Sequence, residues 1–155
     1  MYSRRLITVV SVLLCVWTTA EAQGKYANLD KWVGKTPTYD KSFGNFFRLP
    51  EVWRPLKKLL SEKDFYYLTR GHTKETPFKL VENYLHTEMC GERGSYACDY
   101  HTLFVVNLAD GSMNVAFDVF SDKPRCYSTK GKFTDLPRKV LSIGPGVEFS
   151  KPCAQ

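Results

Sequence analysis

The sequence is short of the groups that usually carry chemistry at a recognisable spacing. It has no Cys-x-x-Cys pair, the tight arrangement that a redox dithiol at a helix start requires. Its nearest cysteines, Cys90 and Cys98, enclose seven residues, and no second close pair exists. Zinc ligands come as Cys-x₂₋₄-Cys with a second pair or histidines at fixed spacing, so no metal site is expected. There are only three histidines, His72, His86 and His101, and no serine stands in a local nucleophile signature. No internal repeat or low-complexity tract occurs. No apolar run reaches the ~20 residues of a membrane span. Basic residues are scattered (Lys57-Lys58, Arg70, Lys123, Arg125, Lys130, Lys132, Arg138-Lys139) and form neither one stripe nor a nucleic-acid recognition motif. Neither a cofactor nor a nucleic-acid partner is expected.

What is present begins with an export signal. Met1 to Arg5 is short and basic, Leu6 to Trp17 is apolar apart from Thr8 and Ser11, and Ala20-Glu21-Ala22 offers small residues where a signal peptidase reads. Residues 1–22 are therefore expected to be a signal peptide and residues 23–155 a single domain, periplasmic or secreted, with no membrane attachment after cleavage. Cleavage removes Arg4, Arg5 and Glu21, which lowers the net charge by one, from +6 to +5. A basic surface favours acidic partners. Four cysteines remain, and an even number in an exported chain implies disulfides. Of three possible pairings, closeness in sequence favours Cys90–Cys98, which leaves Cys126–Cys153. Each would stabilise by ~2–4 kcal/mol.

Periodicity gives the elements. Gly24 to Pro37 is polar, with isolated Tyr26, Leu29 and Trp32, and reads as a loosely structured lead-in. Thr38-Tyr39-Asp40 could cap a short helix with Tyr39, Phe43 and Phe46 or Phe47 on one face. A second helix follows Glu51, with Trp53, Leu56, Leu59 and Leu60 at helical spacing and Pro55 in its first turn. The aromatic stripe of Trp53, Phe43 and Phe47 reads as core. Phe78 to Met89 alternates as one strand, and Thr102 to Leu108 is strongly β-prone. Asp110-Gly111 signals a hairpin returning along Met113 to Phe120. Arg125 to Phe133 is a further strand, Leu136 to Leu141 a short helix or turn, and Val147 to Phe149 the last piece. Helices followed by a meander predict an α+β domain: an antiparallel sheet of about five strands with short helices packed on one face.

Residues Cys90, Gly91, Glu92, Arg93, Gly94, Ser95, Tyr96 and Cys98 are the candidate site. A disulfide at the base of a loop reduces the conformational freedom lost on binding. Gly91 and Gly94 permit backbone shapes closed to other residues. Arg93 and Tyr96 are residue types favoured at binding hot spots. The competing enzymatic reading is a small basic hydrolase, ribonuclease-like, using His86 and His101 as cross-strand neighbours.

Several steps along the chain resemble the Ivy family, exported bacterial inhibitors of vertebrate lysozyme. They are the small-x-small cleavage site, Leu29, Phe43 or Phe46, Leu49-Pro50 with Trp53, Thr76-Pro77, Val81 and Tyr84. The Cys90…Cys98 loop, Leu103 to Val106, Met113 and Phe117 complete the match, which spans roughly Leu29 to Ser121. The resemblance implies an Ivy-like sheet and a non-enzymatic inhibitor whose disulfide-closed loop enters an enzyme cleft. The family loop reads Cys-Lys-Pro-His-Asp-Cys, and its histidine meets two catalytic carboxylates. This loop is longer and has no histidine or proline, so Arg93 is the cation that could stand in, with Tyr96 filling the cleft. Many vertebrate lysozymes are basic and would repel a chain of charge +5. The expected partner is therefore a lysozyme or a related, more acidic cell-wall hydrolase. A role as an immunity or other non-enzymatic binding protein for a different secreted partner is the alternative, and a homodimer is one open arrangement.

Overall fold

The computed structural model describes residues 24–38, 40–91, 100–141 and Cys153. The signal peptide expected over residues 1–22, Tyr39 and the piece expected over Val147 to Phe149 lie outside them. Within the described residues the chain is α+β, with short helices followed by an antiparallel sheet. Residues 24–27 are helical and run into a 3₁₀ turn at Asn28–Trp32; the later helices are α1 (Pro50–Leu59), α2 (Glu62–Arg70) and α3 (Arg138–Leu141), with further 3₁₀ turns at Phe46–Arg48 and Phe133–Asp135. The strands are β1 (Lys74–Glu75), β2 (Lys79–Val81), β3 (Tyr84–Gly91), β4 (Tyr100–Asn107), β5 (Met113–Phe117) and β6 (Arg125–Ser128). They run in the order β1-β3-β4-β5-β6, and β2 shares the outer side of β3 with β1.

The alternation that suggested strands sorts residues onto two faces, and both are buried. Leu85, Met89, Phe104, Val106, Met113, Val115 and Phe117 join the helical side, where Val52, Leu56 and Leu68 pack on them with Phe46, Phe47, Leu29 and Trp32. Leu103, Val105 and Ala116 point the other way, onto Phe133, Val140 and Leu141. Two helices thus cover one face as expected, and the C-terminal segment covers the second. The Cys126–Cys153 disulfide, Cα atoms 5.5 Å apart, ties Cys153 to β6 on that second face.

Several element boundaries differ from expectation, each for a local reason. The lead-in is part of the core, because Leu29 and Trp32 are fully buried despite their polar neighbours. Residues 40–44 form a turn rather than a helix: the Asp40 carboxylate accepts from the N–H groups of Ser42 and Phe43, at 3.0 and 2.9 Å. Pro50 occupies the first turn of α1, and Pro55 is in its interior. The strand expected over Phe78 to Met89 is two strands. Glu82, at φ 56°, begins the two-residue turn that pairs Val81 with Tyr84. The Asp110-Gly111 hairpin is present, with Gly111 at φ 72°. The return strand stops at Phe117, because Asp118 at φ 57° turns Val119 onto the second face. The strand from Arg125 ends at Ser128, and Phe133 belongs to a 3₁₀ turn.

One polar network joins the helical layer to the edge strand β6. Ser61 caps α2 by accepting from the Asp64 N–H at 3.1 Å. The buried Asp64 carboxylate accepts from Arg125 Nη1 on one oxygen, and from Tyr127 Oη (2.7 Å) and Ser61 Oγ (3.0 Å) on the other. Burial pushes the Asp64 pKa up, but hydrogen bonds from Tyr127, Arg125 and Ser61 outweigh it and hold it below the usual carboxylate range. Replacing Asp64 by Ala would leave three donors without their acceptor. Because Arg125 is partly exposed, the expected loss is about 2–3 kcal/mol rather than the full cost for a buried pair. Urea denaturation would measure it, and a loss under about 0.5 kcal/mol would show that the network is incidental.

Candidate functional site

The sheet brings the first candidate residues to one end of its longest hairpin. Cys90 is disulfide-bonded. It is the penultimate residue of β3, opposite His101 on β4 and opposite Lys74 on β1. Its carbonyl also accepts from the Thr73 N–H at 2.9 Å. Strands on both sides therefore hold it. Gly91 is buried beneath the end of α2. A side-chain carbon there would lie 2.6 Å from the Gly71 carbonyl oxygen and 2.7 Å from Tyr67 Oη. The lack of a side chain is what lets the helix end touch the root of the β3–β4 connection. Beside this root lies an open cavity of about 550 Å³, with Lys74, Glu88 and His101 in its wall. Glu92, Arg93, Gly94, Ser95, Tyr96 and Cys98, like a Cys90–Cys98 pairing, lie outside the described residues. The Cys126–Cys153 pairing is present as expected.

The histidines are not brought together. His86 pairs with Val105 and His101 with Cys90, four residues apart along the ladder. At about 3.4 Å per residue this separates them by roughly 13 Å. They are not the cross-strand neighbours that the hydrolase reading requires. His86 is buried on the second face. Desolvation first, and then the nearby Lys79 charge, pull its pKa down to about 4. His72 is also buried, with its ring 5.0 Å from that of Tyr67, and desolvation lowers its pKa to about 4. Both rings are neutral at pH 7 and poorly suited to accept a proton there. His101 lies against Phe120, ring centroids 4.4 Å apart. No group of three or more His, Cys, Asp or Glu residues able to hold a metal occurs among the described residues. No helix there is long and apolar enough to cross a membrane.

A second feature did not emerge from the sequence reading. Trp53 and Phe43 were expected in the core, yet Trp53 is 37% and Phe43 40% exposed, and only Phe47 of that stripe is buried. Trp53 instead stands at the rim of a groove of about 530 Å³ between α1 and α2. Lys57 Nζ lies 4.8 Å from its ring centroid, and Phe65 meets the ring edge-on at 6.2 Å. On α2, Arg70 lies 5.7 Å from the ring centroid of Tyr66, which is 61% exposed. Each helix thus carries an aromatic residue followed four positions later by a cation. That spacing was legible. The second pair was hidden because α2 itself was not recognised, although Ser61-x-x-Asp64 marks its start.

The chain matches no family model, no curated protein and no solved structure.

Two outcomes are expected from this geometry. Gly91→Ala should cost about 1–3 kcal/mol by overpacking against the Gly71 carbonyl and Tyr67. A thermal melt unchanged from the parent would show that the helix end is not fixed against the loop root. The buried histidines should make stability pH-dependent. Their pKa is lower folded than unfolded, so the unfolded chain binds more protons between about pH 4 and pH 6.5. Stability is full above pH 6.5 and falls towards pH 4, by up to roughly 3 kcal/mol for each histidine. Glu75, whose burial raises its pKa, acts in the opposite sense above its ordinary value of 4.5. Urea midpoints should fall from pH 7 to pH 4, and the double variant His72→Asn, His86→Asn should flatten the slope.

Proposed function

We propose that the chain is an exported, non-enzymatic binding protein that blocks a lysozyme or related peptidoglycan hydrolase with the connection between β3 and β4. The observation that carries this reading is the anchoring of Cys90. It is disulfide-bonded, is paired on both sides by strands, and lies next to a glycine on which α2 closes. A root held in this way does not itself have to be ordered on binding, so less entropy opposes association. The intervening Arg93 is a cation of the kind that a cleft with two carboxylates accepts, and Tyr96 supplies apolar surface. The net charge, +6 for the full chain and +5 without residues 1–22, favours an acidic target. The Cys126–Cys153 disulfide supports an oxidising, periplasmic or secreted setting. The sequence steps that resemble the Ivy family point the same way. The separation of His86 from His101, and the burial of His86, weigh against the ribonuclease-like alternative.

The test is a panel of lysozymes and peptidoglycan amidases, assayed with the mature protein and with Arg93→Ala. Stoichiometric inhibition of at least one enzyme is expected, with Arg93→Ala weaker by tenfold or more. No inhibition of any member would overturn the proposal. RNA cleavage abolished by His86→Ala would replace it with the hydrolase reading.

A further inference from the structure

We propose that the groove between α1 and α2 is a second binding site, for an acidic oligosaccharide whose sugar rings carry carboxylate or sulfate groups. Trp53 and Tyr66 leave large ring surfaces open to water on facing helices, a cost that a monomeric protein usually avoids. Each ring is the first member of an aromatic–cation pair at i, i+4: Trp53 with Lys57 on α1, and Tyr66 with Arg70 on α2. Phe65 buttresses the Trp53 ring edge-on, so that face is held rather than loose.

Charge identifies the ligand class. Arg48, Lys57 and Arg70 all line the groove, against the single acidic residue Glu62. Among the described residues none of these three cations makes an ion pair. They stand around apolar ring faces and, among the described residues, pair with no carboxylate, which suits an anion attached to a flat, partly apolar body. The volume of about 530 Å³ falls within the range of ordinary ligand sites and is small for a folded partner. Asn45 and Thr69 in the same wall add hydroxyl and amide groups of the kind that bind sugar hydroxyls. Guanidinium groups bind carboxylate and sulfate through paired N–H donors, while aromatic faces take the C–H faces of the rings. The basic cleft on the other side of α1, with Lys25, Arg54 and Lys58, has no such facing pair of aromatic–cation units, so charge alone does not single out the groove.

This proposal is independent of the β3–β4 connection and stands or falls without it. The mature protein would be titrated, with tryptophan fluorescence and calorimetry as readouts, against four probes. They are a galacturonic acid tetrasaccharide, a heparin-derived tetrasaccharide, neutral chitotetraose and hexaglutamate. At least one acidic tetrasaccharide should bind, tenfold or more tightly than chitotetraose and hexaglutamate. Which of the two binds separates carboxylate from sulfate as the recognised group. Trp53→Ala and Arg70→Ala should each weaken binding at least tenfold, while Lys58→Ala should leave it within twofold. All three side chains lie at the surface, and near-UV circular dichroism would check their folding. The proposal is overturned if neither acidic saccharide binds, if hexaglutamate binds equally well, or if Lys58→Ala weakens binding as much as Arg70→Ala.

Discussion

The structure depends on burying its central strands on both faces. All five residues of β5 are buried, and so are Leu103 to Val106 of β4. A sheet of this kind cannot stand with one face in water, so both layers around it are obligatory. Helices α1 and α2 supply one, together with the aromatic cluster of Trp32, Phe46 and Phe78 against Phe104. Phe133, Val140 and Leu141 supply the other, on the face to which the disulfide fixes Cys153. The Asp64 carboxylate then ties the helical layer to β6 through Arg125 and Tyr127. Every candidate functional feature is a consequence of this three-layer arrangement.

The root of the β3–β4 connection is rigid because β3 is an interior strand at that point. Cys90 pairs with Lys74 on one side and with His101 on the other. Gly91 then meets the end of α2, so the helical layer abuts the root. The aromatic–cation groove lies along the same helix, and Arg70 lines both it and a smaller cavity holding His72 and Glu75. Two candidate sites are thus set on one frame: the root from which the proposed binding connection leaves, and the groove proposed to take an acidic saccharide.

The strongest local signals were legible in the sequence. The alternation on either side of Asp110-Gly111 placed β4, its turn and the start of β5, because pattern and turn chemistry agree there. The Cys126–Cys153 pairing followed from cysteine count and spacing. What could not be read locally depends on tertiary context. Leu29 and Trp32 sit among polar residues, and only the packed fold shows that they are core. Trp53 has the spacing of a core residue, yet the neighbouring helix leaves its ring at a groove rim. Cover for the second face comes from segments distant in sequence, whose apolar residues show no long period. The separation of His86 from His101 is a matter of strand register, which no local pattern in the sequence displays.

The central claim is that the frame stays rigid up to the point where the connection leaves it. Native-state amide hydrogen exchange tests this most directly. Ladder amides of Met89 to Gly91 and of Thr102 should exchange almost as slowly as those of Leu85 to Thr87 and Phe104 to Val106, close to the limit set by global unfolding. Exchange at Met89 to Gly91 several hundredfold faster than at Leu85 to Thr87 would mean that the root frays. It would contradict a root held fast between β1 and β4.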